Sequence, residues 1–351
     1  MEFVPREELE RRWVRIRPTP DALSRLEIAS IGETTRMAGI AARIAAGGDR
    51  HLVDGAETRT GGAFLDQTGF PDRAVEKVLR PLLGSMLLDR TLGADAGYVK
   101  YLMAMLVRGP AVLPVDGIGM IGERAGAAVT KAGGMVWTGV RVARIAVAEG
   151  AARGVVLDDG RHVAARTVVL AVDPRAARRL LAGIDDAAAS RLPHEGAGMV
   201  SAAFALKRPL YEGRMPLVDA AGPEGNDRVD LICQTTNITR PGSPGPHILV
   251  AQSATASWTD IDPQRYQEVV GRRVAAWAPG FGWERNAVPI GTYVNDWALA
   301  RIPPGLRANL PGPQTAIPNL LLAGDAVMHP SIEGAVAAGR RAARTVRGML
   351  A

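Results

Sequence analysis

The sequence predicts an α/β protein in which one domain is interrupted by an inserted α+β domain. Helical periodicity dominates up to about residue 110, and short apolar runs separated by turn residues follow between 134 and 172. Strand patterns with one long helix then fill residues 196–300, and the chain closes on a strand, a glycine turn and a helix. We expect this last strand to rejoin those at 134–172, so that domain is discontinuous in sequence.

Apolar residues recur at helical spacing in several segments, and proline and small residues add detail to two of them. A kink is expected at Pro81, because proline lacks the N–H that the helix needs. The helix that follows the glycines near residue 120 is expected to pack Ala125, Ala128 and Val129 inward. Helices are predicted at residues 31–46, 71–86, 95–107, 121–132, 174–182 and 263–276.

Strands are predicted from β-branched and apolar runs bounded by turn residues. Asp158 to Gly160 forms a hairpin-like turn, and residues 239–247, rich in proline and glycine, form a surface loop. Strands are predicted at residues 135–140, 199–206, 229–235, 247–254 and 288–294.

The end of the chain carries the most informative pattern. Leu320 to Ala323 is a continuous apolar run, as expected of a strand buried on both faces. Gly324 allows close approach of a ligand or of another backbone. Asp325 then stands at the carboxyl end of the strand, where open α/β sheets place ligands. An ordinary turn with a solvated aspartate explains the same spacing equally well.

A helix is predicted directly after this turn. Ser331 is a suitable N-cap, and small residues line the first turn and the packing face, including Ala335 and Ala338. Arginines crowd the later turns, where positive charge complements the helix dipole. The positive end of such a helix would face a ligand held at the strand end.

These residues resemble a known family. Segments 317–325 (IPNLLLAGD), 330–335 (PSIEGA) and 339–343 (GRRAA) are similar to the C-terminal flavin-binding motif of the amine oxidase, protoporphyrinogen oxidase and phytoene desaturase superfamily. Segments 69–92, 113–117 and 134–171 agree with that family in the expected order, and the resemblance runs from about residue 20 to the end. It implies an FAD-dependent oxidoreductase with a Rossmann-like, glutathione-reductase-type FAD domain and an inserted substrate domain.

The resemblance also implies where FAD would bind. Asp325 would contact the ribityl–pyrophosphate region, and the backbone around Ile332 to Ala335 would face the flavin pyrimidine. Val142 would contact adenine through its backbone, although a half-buried strand explains that valine as well. No side chain is identified as a general base. The expected cofactor-binding residues are Val142, Ala171, Gly324, Asp325, Ser331, Ile332, Glu333, Gly334 and Ala335.

The same resemblance divides the chain into four segments. Residues 1–111 correspond to the helical part of the substrate domain, 112–182 to the middle of the FAD domain, 183–300 to the mixed sheet of the substrate domain, and 301–351 to the C-terminal FAD-binding strand and helix.

One element of the family is not recognised: the strand–turn–helix with a GxGxxG loop that cradles the pyrophosphate. The chain opens on a polar, charged segment, and the literal match at Gly117, Gly119 and Gly122 lacks a strand running into it. Pro114 interrupts the candidate strand, and Asp116 would repel a pyrophosphate. We therefore interpret these glycines as a turn ahead of a helix.

Losing three charge-assisted hydrogen bonds would cost about 4–9 kcal/mol. The hypothesis is that this chain alone binds FAD weakly or not at all, as a fragment, a product of a mis-set start, or one half of a split enzyme. A separate chain would then supply the dinucleotide-binding element. The alternative from another class is a non-catalytic remnant that binds a partner chain or a lipid-like ligand.

Composition limits the other functions. The 351 residues are 47% hydrophobic with a formal charge of +6, and aromatic residues, at 5%, do not interleave with the basic runs, which argues against nucleic acid. Cys233 is the single cysteine, and no signal peptide or long apolar run is present, which predicts a bacterial-type cytoplasmic protein with at most peripheral membrane contact. The scattered histidines have no metal-ligand spacing.

The expected substrate is a hydrophobic small molecule, since the phytoene desaturase-like branch is the more similar and tyrosines for an aromatic cage are few. His329 would either approach the flavin or serve as an ordinary loop residue, and Glu333 would either polarise the flavin edge or favour the helix start. The residues that would line an apolar tunnel, or simply pack in a core, are Met103, Met105, Leu106, Trp258, Trp277, Trp283 and Trp297.

Overall fold

The structure, a computed structural model, describes residues 29–53, 57–109, 112–219, 227–242, 244–257 and 261–350. Contacts between α-carbons divide the chain into two compact units. Unit 1 consists of Met1–Met120 and Ala197–Ala298, and unit 2 of Ile121–Gly196 and Leu299–Ala351. The predicted assignment of the four sequence segments to FAD and substrate domains stays a prediction. Trp258 and the part of the resemblance before residue 29 lie outside the described residues.

The helices follow the predicted periodicity closely, and those predicted at 31–46, 95–107, 121–132, 174–182 and 263–276 are confirmed with each end within one residue. In chain order the described α-helices are α1 (Ile31–Gly47), α2 (Arg50–Val53), α3 (Gly61–Gln67), α4 (Asp72–Ala74), α5 (Arg80–Leu87), α6 (Ala96–Arg108), α7 (Met120–Lys131), α8 (Pro174–Leu181), α9 (Asp186–Arg191), α10 (Thr236–Thr239), α11 (Pro263–Trp277), α12 (Trp283–Asn286), α13 (Leu306–Asn309) and α14 (Ile332–Leu350).

The helix predicted at 71–86 is irregular at the expected place. A π-helical turn, Val75–Leu79, separates α4 from α5, and Pro81 stands in the first turn of α5. Because Pro81 has no N–H to donate, the regular ladder cannot continue through it, and the wider turn lies just before it. The irregularity therefore takes the form of a π-helical turn ahead of the proline.

The strands confirm four of the five sequence predictions, and the fifth is wrong. Those predicted at 199–206, 229–235, 247–254 and 288–294 are present, whereas residues 135–140 form no strand. In chain order the described strands are β1 (Val142–Ala148), β2 (Ala151–Leu157), β3 (His162–Ala164), β4 (Val168–Leu170), β5 (Gly196–Leu206), β6 (Leu217–Val218), β7 (Leu231–Gln234), β8 (His247–Ala254), β9 (Ala287–Ala300) and β10 (Leu320–Leu322).

Unit 1 is built on a sheet with strand order β6-β7-β8-β5-β9. Strands β5 and β8 pair antiparallel from Met199 opposite Ala254 to Leu206 opposite His247. Alternate residues of β5 are buried, as one covered face requires, and α11 supplies the facing side chains. The buried core contains Phe204, Leu249, Tyr266, Val270 and Trp283.

Two of the aromatic residues considered for an apolar tunnel, Trp277 and Trp283, instead take part in this core. Trp283 is buried and meets Phe204 edge to face, with ring centroids 4.9 Å apart. Trp277 packs against the same core beneath the Arg273 guanidinium. Burial raises the pKa of the Cys233 thiol, which suits a packing role for that residue.

Unit 2 contains two small sheets. Strands β1, β2 and β3 form an antiparallel sheet, and β10 pairs with β4 in parallel. Its core gathers apolar side chains from both sheets and from three helices: Ile145, Leu170, Leu181, Leu322 and Ala338 are among them. These side chains form one cluster of buried residues. In the described part of the chain, the parallel sheet consists of two strands, β10 and β4.

Two expectations for unit 2 are wrong in the same way. Helix α7, all of whose residues are described, has no buried residue, so Ala125, Ala128 and Val129 do not pack inward. Residues 135–140 form no strand, and Met135 is 78% exposed. Helical periodicity shows that α7 has an apolar face, but it does not show whether another element packs against that face. None of the described residues buries it.

Within the described residues, no helix combines the length and the apolarity needed to cross a bilayer. The same residues contain no group of three or more histidine, cysteine, aspartate or glutamate side chains placed to hold a metal ion.

Candidate flavin site

The parallel pairing of β4 and β10 sets the position of the candidate site. Leu320 lies opposite Val168 and Leu322 opposite Leu170, so both strands end at the same edge. The next residues are Ala171 and Ala323, and Gly324 follows beside Val172. This edge is where the carboxyl ends of strands in an open α/β sheet leave room for a ligand.

Gly324 needs to be glycine for a conformational reason. Its φ is +106°, which residues with a side chain rarely adopt. A Cβ built there would meet nothing closer than the Val172 carbonyl oxygen, at 3.9 Å. The backbone at the end of β10 is therefore open to a flat group that needs close approach.

Asp325 follows in a short 3-10 turn, Asp325–Val327. Burial raises the pKa of its carboxyl above the usual range, and the Asp173 carboxylate adds to this increase. Backbone N–H groups of Ala326 and Asp325 and the charge of His329 lower the pKa in part. The site thus holds a carboxylate that is partly desolvated and close to a second one.

Helix α14 begins beside this turn. Ser331 is confirmed as its N-cap, because the Ser331 Oγ accepts a hydrogen bond from the Gly334 N–H at 2.9 Å. Ile332, Glu333 and Ala335 are exposed in the first turn, with Ile332 at 53%. The first turn of the helix, which carries the positive end of the dipole, is therefore exposed to solvent.

Gly334 is required for packing. A Cβ there would lie 2.0 Å from the His329 carbonyl oxygen, so a side chain cannot be accommodated without moving the backbone. His329 itself is buried, at 5% exposed. Gly334 thus fixes the distance between the elbow at 324–329 and the first turn of α14.

The opposite edge of β10 is also occupied. The Leu322 N–H donates to the Pro313 carbonyl at 2.7 Å, and the Thr315 N–H donates to the Leu320 carbonyl at 3.3 Å. An antiparallel bridge joins Gln314 to Leu321. Strand β10 is therefore hydrogen-bonded on both sides, to β4 and to residues 313–315.

The structure brings most, but not all, of the predicted site residues together. Ala171, Gly324 and Asp325 share the strand-end edge, and Ser331 to Ala335 form the helix start beside it. Val142 instead opens β1 in the antiparallel sheet, where it pairs with Leu157. Among the described residues, no hydrogen bond connects Val142 to the elbow.

Sequence reasoning missed Asp173 as a member of this edge. Its carboxylate caps α8 by accepting from the N–H groups of Arg175, at 2.9 Å, and Ala176, at 3.1 Å. It also lies close enough to Asp325 to raise that residue's pKa. The sequence contained a local signal for a strand-end position, because Asp173, like Asp325, comes soon after a short apolar run. It did not show that the two strands pair.

The glycines at 117, 119 and 122 form no phosphate cradle. Residues 112–119 contain no strand, and a Cβ at any of these glycines would meet no heavy atom within 4 Å. A dinucleotide loop needs a strand running into its first glycine. The interpretation of this segment as a turn ahead of a helix is therefore supported.

Comparisons with known proteins agree with this geometry. The family model for flavin-containing amine oxidoreductases matches residues 27–347. A sequence comparison with curated proteins finds no significant match.

Solved structures with the same fold include a double mutant of putrescine oxidase, at 16% identity and a TM-score of 0.72. The match covers 99% of this chain and 80% of the putrescine oxidase chain. An oxidoreductase from Methanosarcina mazei matches at 15% identity and a TM-score of 0.67, covering 91% and 74%. A protein from Exiguobacterium sp. assigned as a protoporphyrinogen oxidase matches at 14% identity and a TM-score of 0.63, covering 94% and 75%.

The fold and the strand-end edge define an FAD-dependent oxidoreductase. More particularly, the chain belongs to the family of flavin-containing amine oxidoreductases. The resemblance of the C-terminal motif and the prediction of FAD as cofactor are thereby confirmed. The open backbone at Gly324 and the accessible start of α14 fit the flavin portion of FAD.

Proposed function

We propose that this chain acts on a hydrophobic small molecule, either oxidising it by dehydrogenation or desaturation, or isomerising it. The observation that carries the proposal is the shared edge at Ala171, Gly324 and Asp325, with the start of α14 beside it. When bound, FAD supplies the redox chemistry by accepting a hydride. The protein residues hold and orient the cofactor and stabilise negative charge on the flavin.

Each part of the edge has a separate role in the proposal. The Asp325 carboxylate accepts hydrogen bonds from hydroxyl groups of the ribityl chain, and Gly324 lets that chain approach the backbone. The N-terminal turn of α14 stabilises negative charge on the pyrimidine edge, an effect of about 0.3–2 kcal/mol. Ala171 forms the facing wall, and Val142 would contact adenine through its backbone.

The proposal includes weak FAD binding by the isolated chain. The described residues contain no strand–GxGxxG–helix element, and residues 313–315 pair with the edge of β10. The pyrophosphate would then be cradled by a polypeptide element outside the described residues, either covalently continuous or on a separate chain. Three missing charge-assisted hydrogen bonds correspond to about a thousandfold to a millionfold in affinity.

The test is an FAD titration of the purified chain, followed by flavin fluorescence. We expect FAD to be lost on gel filtration and to bind reversibly when added in excess. Asp325→Asn should weaken that binding by about tenfold or more, because a neutral amide replaces the charged hydrogen-bond acceptor. Asp158→Asn, an exposed aspartate of the same unit with no side-chain bond within the described residues, is the matched control. Tight stoichiometric flavin in the purified chain would overturn weak binding, and equal affinity of both variants would overturn the site.

The raised pKa of Asp325 predicts two opposite pH dependences. Because the folded chain binds this proton more tightly than the unfolded chain, its free energy of unfolding is greater at acidic pH and falls as pH rises through the raised pKa. Affinity for FAD should instead rise over the same window, as the carboxyl ionises. Asp325→Asn should flatten both curves, measured by urea unfolding and FAD titration. Curves unchanged from the parent would contradict the assigned role.

A further inference from the structure

Unit 1 contains a cavity of about 660 Å³ at one end of its sheet, independent of the flavin site. Leu206, the last residue of β5, pairs with His247, the first residue of β8, and Lys207 and Arg208 leave the sheet at this point. The opposite wall comes from Arg240 and the loop after α10. The volume is within the range of about 300–1,000 Å³ found for small-molecule sites.

Hydrogen bonds of one buried and one half-buried polar residue fix the walls of this cavity. Gln234, fully buried, donates its backbone N–H to the Tyr211 Oη at 2.9 Å and accepts from the Leu210 N–H at 2.8 Å. The Asn237 Nδ2 donates to the backbone carbonyls of Tyr211, at 2.9 Å, and Gly213, at 2.7 Å. The segment 210–213 is therefore tied to β7 and α10, and the cavity is formed before any ligand binds.

The charge of the lining is strongly positive. Lys207, Arg208, Arg214 and Arg240 face a single carboxylate, Glu212. Arg208 is held at the rim, because its guanidinium donates to the carbonyls of Gly280 and Phe281, at 2.6 Å each.

The other three cations have no such support. In the described part of the chain, the side chains of Lys207, Arg214 and Arg240 make no hydrogen bond or ion pair, and Glu212 pairs with none of them. Some other cations of unit 1 are paired, such as Arg273 with Asp219 at 2.7 Å. These three side chains are exposed, and positive charges grouped around one cavity create a local potential that attracts an anion.

We propose that this cavity binds a phosphate group, carried by a small molecule or by a lipid headgroup. A phosphate monoester carries about −1.5 to −2 charges. It therefore balances three unpaired cations better than a ligand with a single carboxylate would. Arg214 and Arg240 each offer the planar fork that binds phosphate oxygens in pairs. Pro209, Tyr211 and Pro241 supply apolar surface for the organic part of the ligand.

The first experiment is calorimetric titration of the full chain with inorganic phosphate at constant ionic strength. We expect saturable binding that Arg214→Ala and Arg240→Ala each weaken by about tenfold, as expected for loss of one charged hydrogen-bond donor. Arg240→Lys keeps the charge but loses the planar guanidinium, so its affinity for phosphate should lie between those of the parent and of Arg240→Ala. Arg344→Ala, an exposed arginine on α14, removes the same charge far along the sequence and should leave the affinity within about twofold.

A second arm distinguishes the two sources of phosphate. Flotation with vesicles of phosphatidic acid in phosphatidylcholine is compared with pure phosphatidylcholine. Saturation by inorganic phosphate without flotation indicates a small-molecule site, and flotation that requires Arg214 and Arg240 indicates a headgroup site. Unfolding midpoints of the variants should match the parent, because these side chains have no partner to lose among the described residues. Binding that is absent in both arms, or equal in all variants, overturns the proposal.

Discussion

The two units of this chain differ in how their helices and sheets are covered. In unit 1 a five-stranded sheet is covered by α11, and Leu249 and Tyr266 are fully buried. In unit 2 the parallel sheet has the described pair β10-β4, α7 buries nothing, and Met135 is 78% exposed. Parallel sheets are normally buried on both faces. The sheet of unit 1 is therefore covered by a helix of the same unit, whereas α7 of unit 2 has an apolar face that none of the described residues covers. Unit 1 also exposes single apolar side chains, such as Val112 at 83%.

The uncovered surface and the candidate flavin site belong to the same unit. Val169 and Val172 are 40% and 41% exposed near the strand ends, and Val336 is 48% exposed on α14. Large exposed apolar patches mark surfaces that another element or ligand covers. This fits the proposal that part of the cofactor cradle comes from outside the described residues.

The largest expected effect contrasts one buried and one exposed side chain of similar size. Leu249→Ala should lower the free energy of unfolding by about 2–5 kcal/mol, because it opens a cavity in a closed core. Met135→Ala should stay within about 0.5 kcal/mol, as exposed substitutions do. Urea unfolding followed by far-UV circular dichroism and by tryptophan fluorescence measures both, since two units can unfold separately. A cost above about 1 kcal/mol for Met135→Ala would show that this segment is covered.

The next effect compares two glycines of α14. Gly334→Ala should lower the free energy of unfolding by about 1–3 kcal/mol and weaken FAD binding, because its Cβ would collide with the His329 carbonyl. Gly339→Ala meets no heavy atom within 4 Å and should stabilise the helix by up to about 1 kcal/mol. The same unfolding assay, with an FAD titration, checks both. Equal tolerance of the two substitutions would contradict the close contact at the elbow.

The smallest effect concerns an ion pair of unit 1. Arg59 and Lys100 hydrogen-bond Glu57 at 2.9 and 2.5 Å, and with Arg59 as the larger cause they lower the pKa of its carboxyl to about 2. A depressed pKa adds stability above the ordinary value and loses it as pH falls towards about 2. Because solvent screens the group in part, Glu57→Gln should cost about 1 kcal/mol at neutral pH.

Acid titration of the unfolding free energy provides the measurement for this pair. Glu57→Gln should remove part of the loss of stability between pH 4.5 and about 2. Glu76→Gln is the control, because its pair with Arg80 is solvent-exposed and should contribute within about 0.5 kcal/mol. An acid profile identical to the parent's would show that Glu57 is not stabilised by its neighbours.

Much of the candidate site could be predicted from sequence because its determinants are local. The apolar run at 320–322, the left-handed Gly324 and the N-cap at Ser331 each follow from a few neighbouring residues. Asp173 could not be placed beside Asp325, since the register of β4 against β10 joins residues about 150 positions apart. The pairing of residues 313–315 with β10 and the grouping of unpaired cations also depend on distant partners.

The amino-acid sequence alone determined where the helices and most of the strands form, which turn must be glycine, and that the last strand and helix resemble a flavin motif. Those features arise from backbone stereochemistry and from apolar spacing over a few turns, so they are written into neighbouring residues. Only the tertiary structure decided which apolar faces are covered. It showed Met135 and α7 exposed, and it placed two aspartates at one edge. Burial and charge proximity depend on residues far apart in the chain, and periodicity carries no information about whether a partner surface is present.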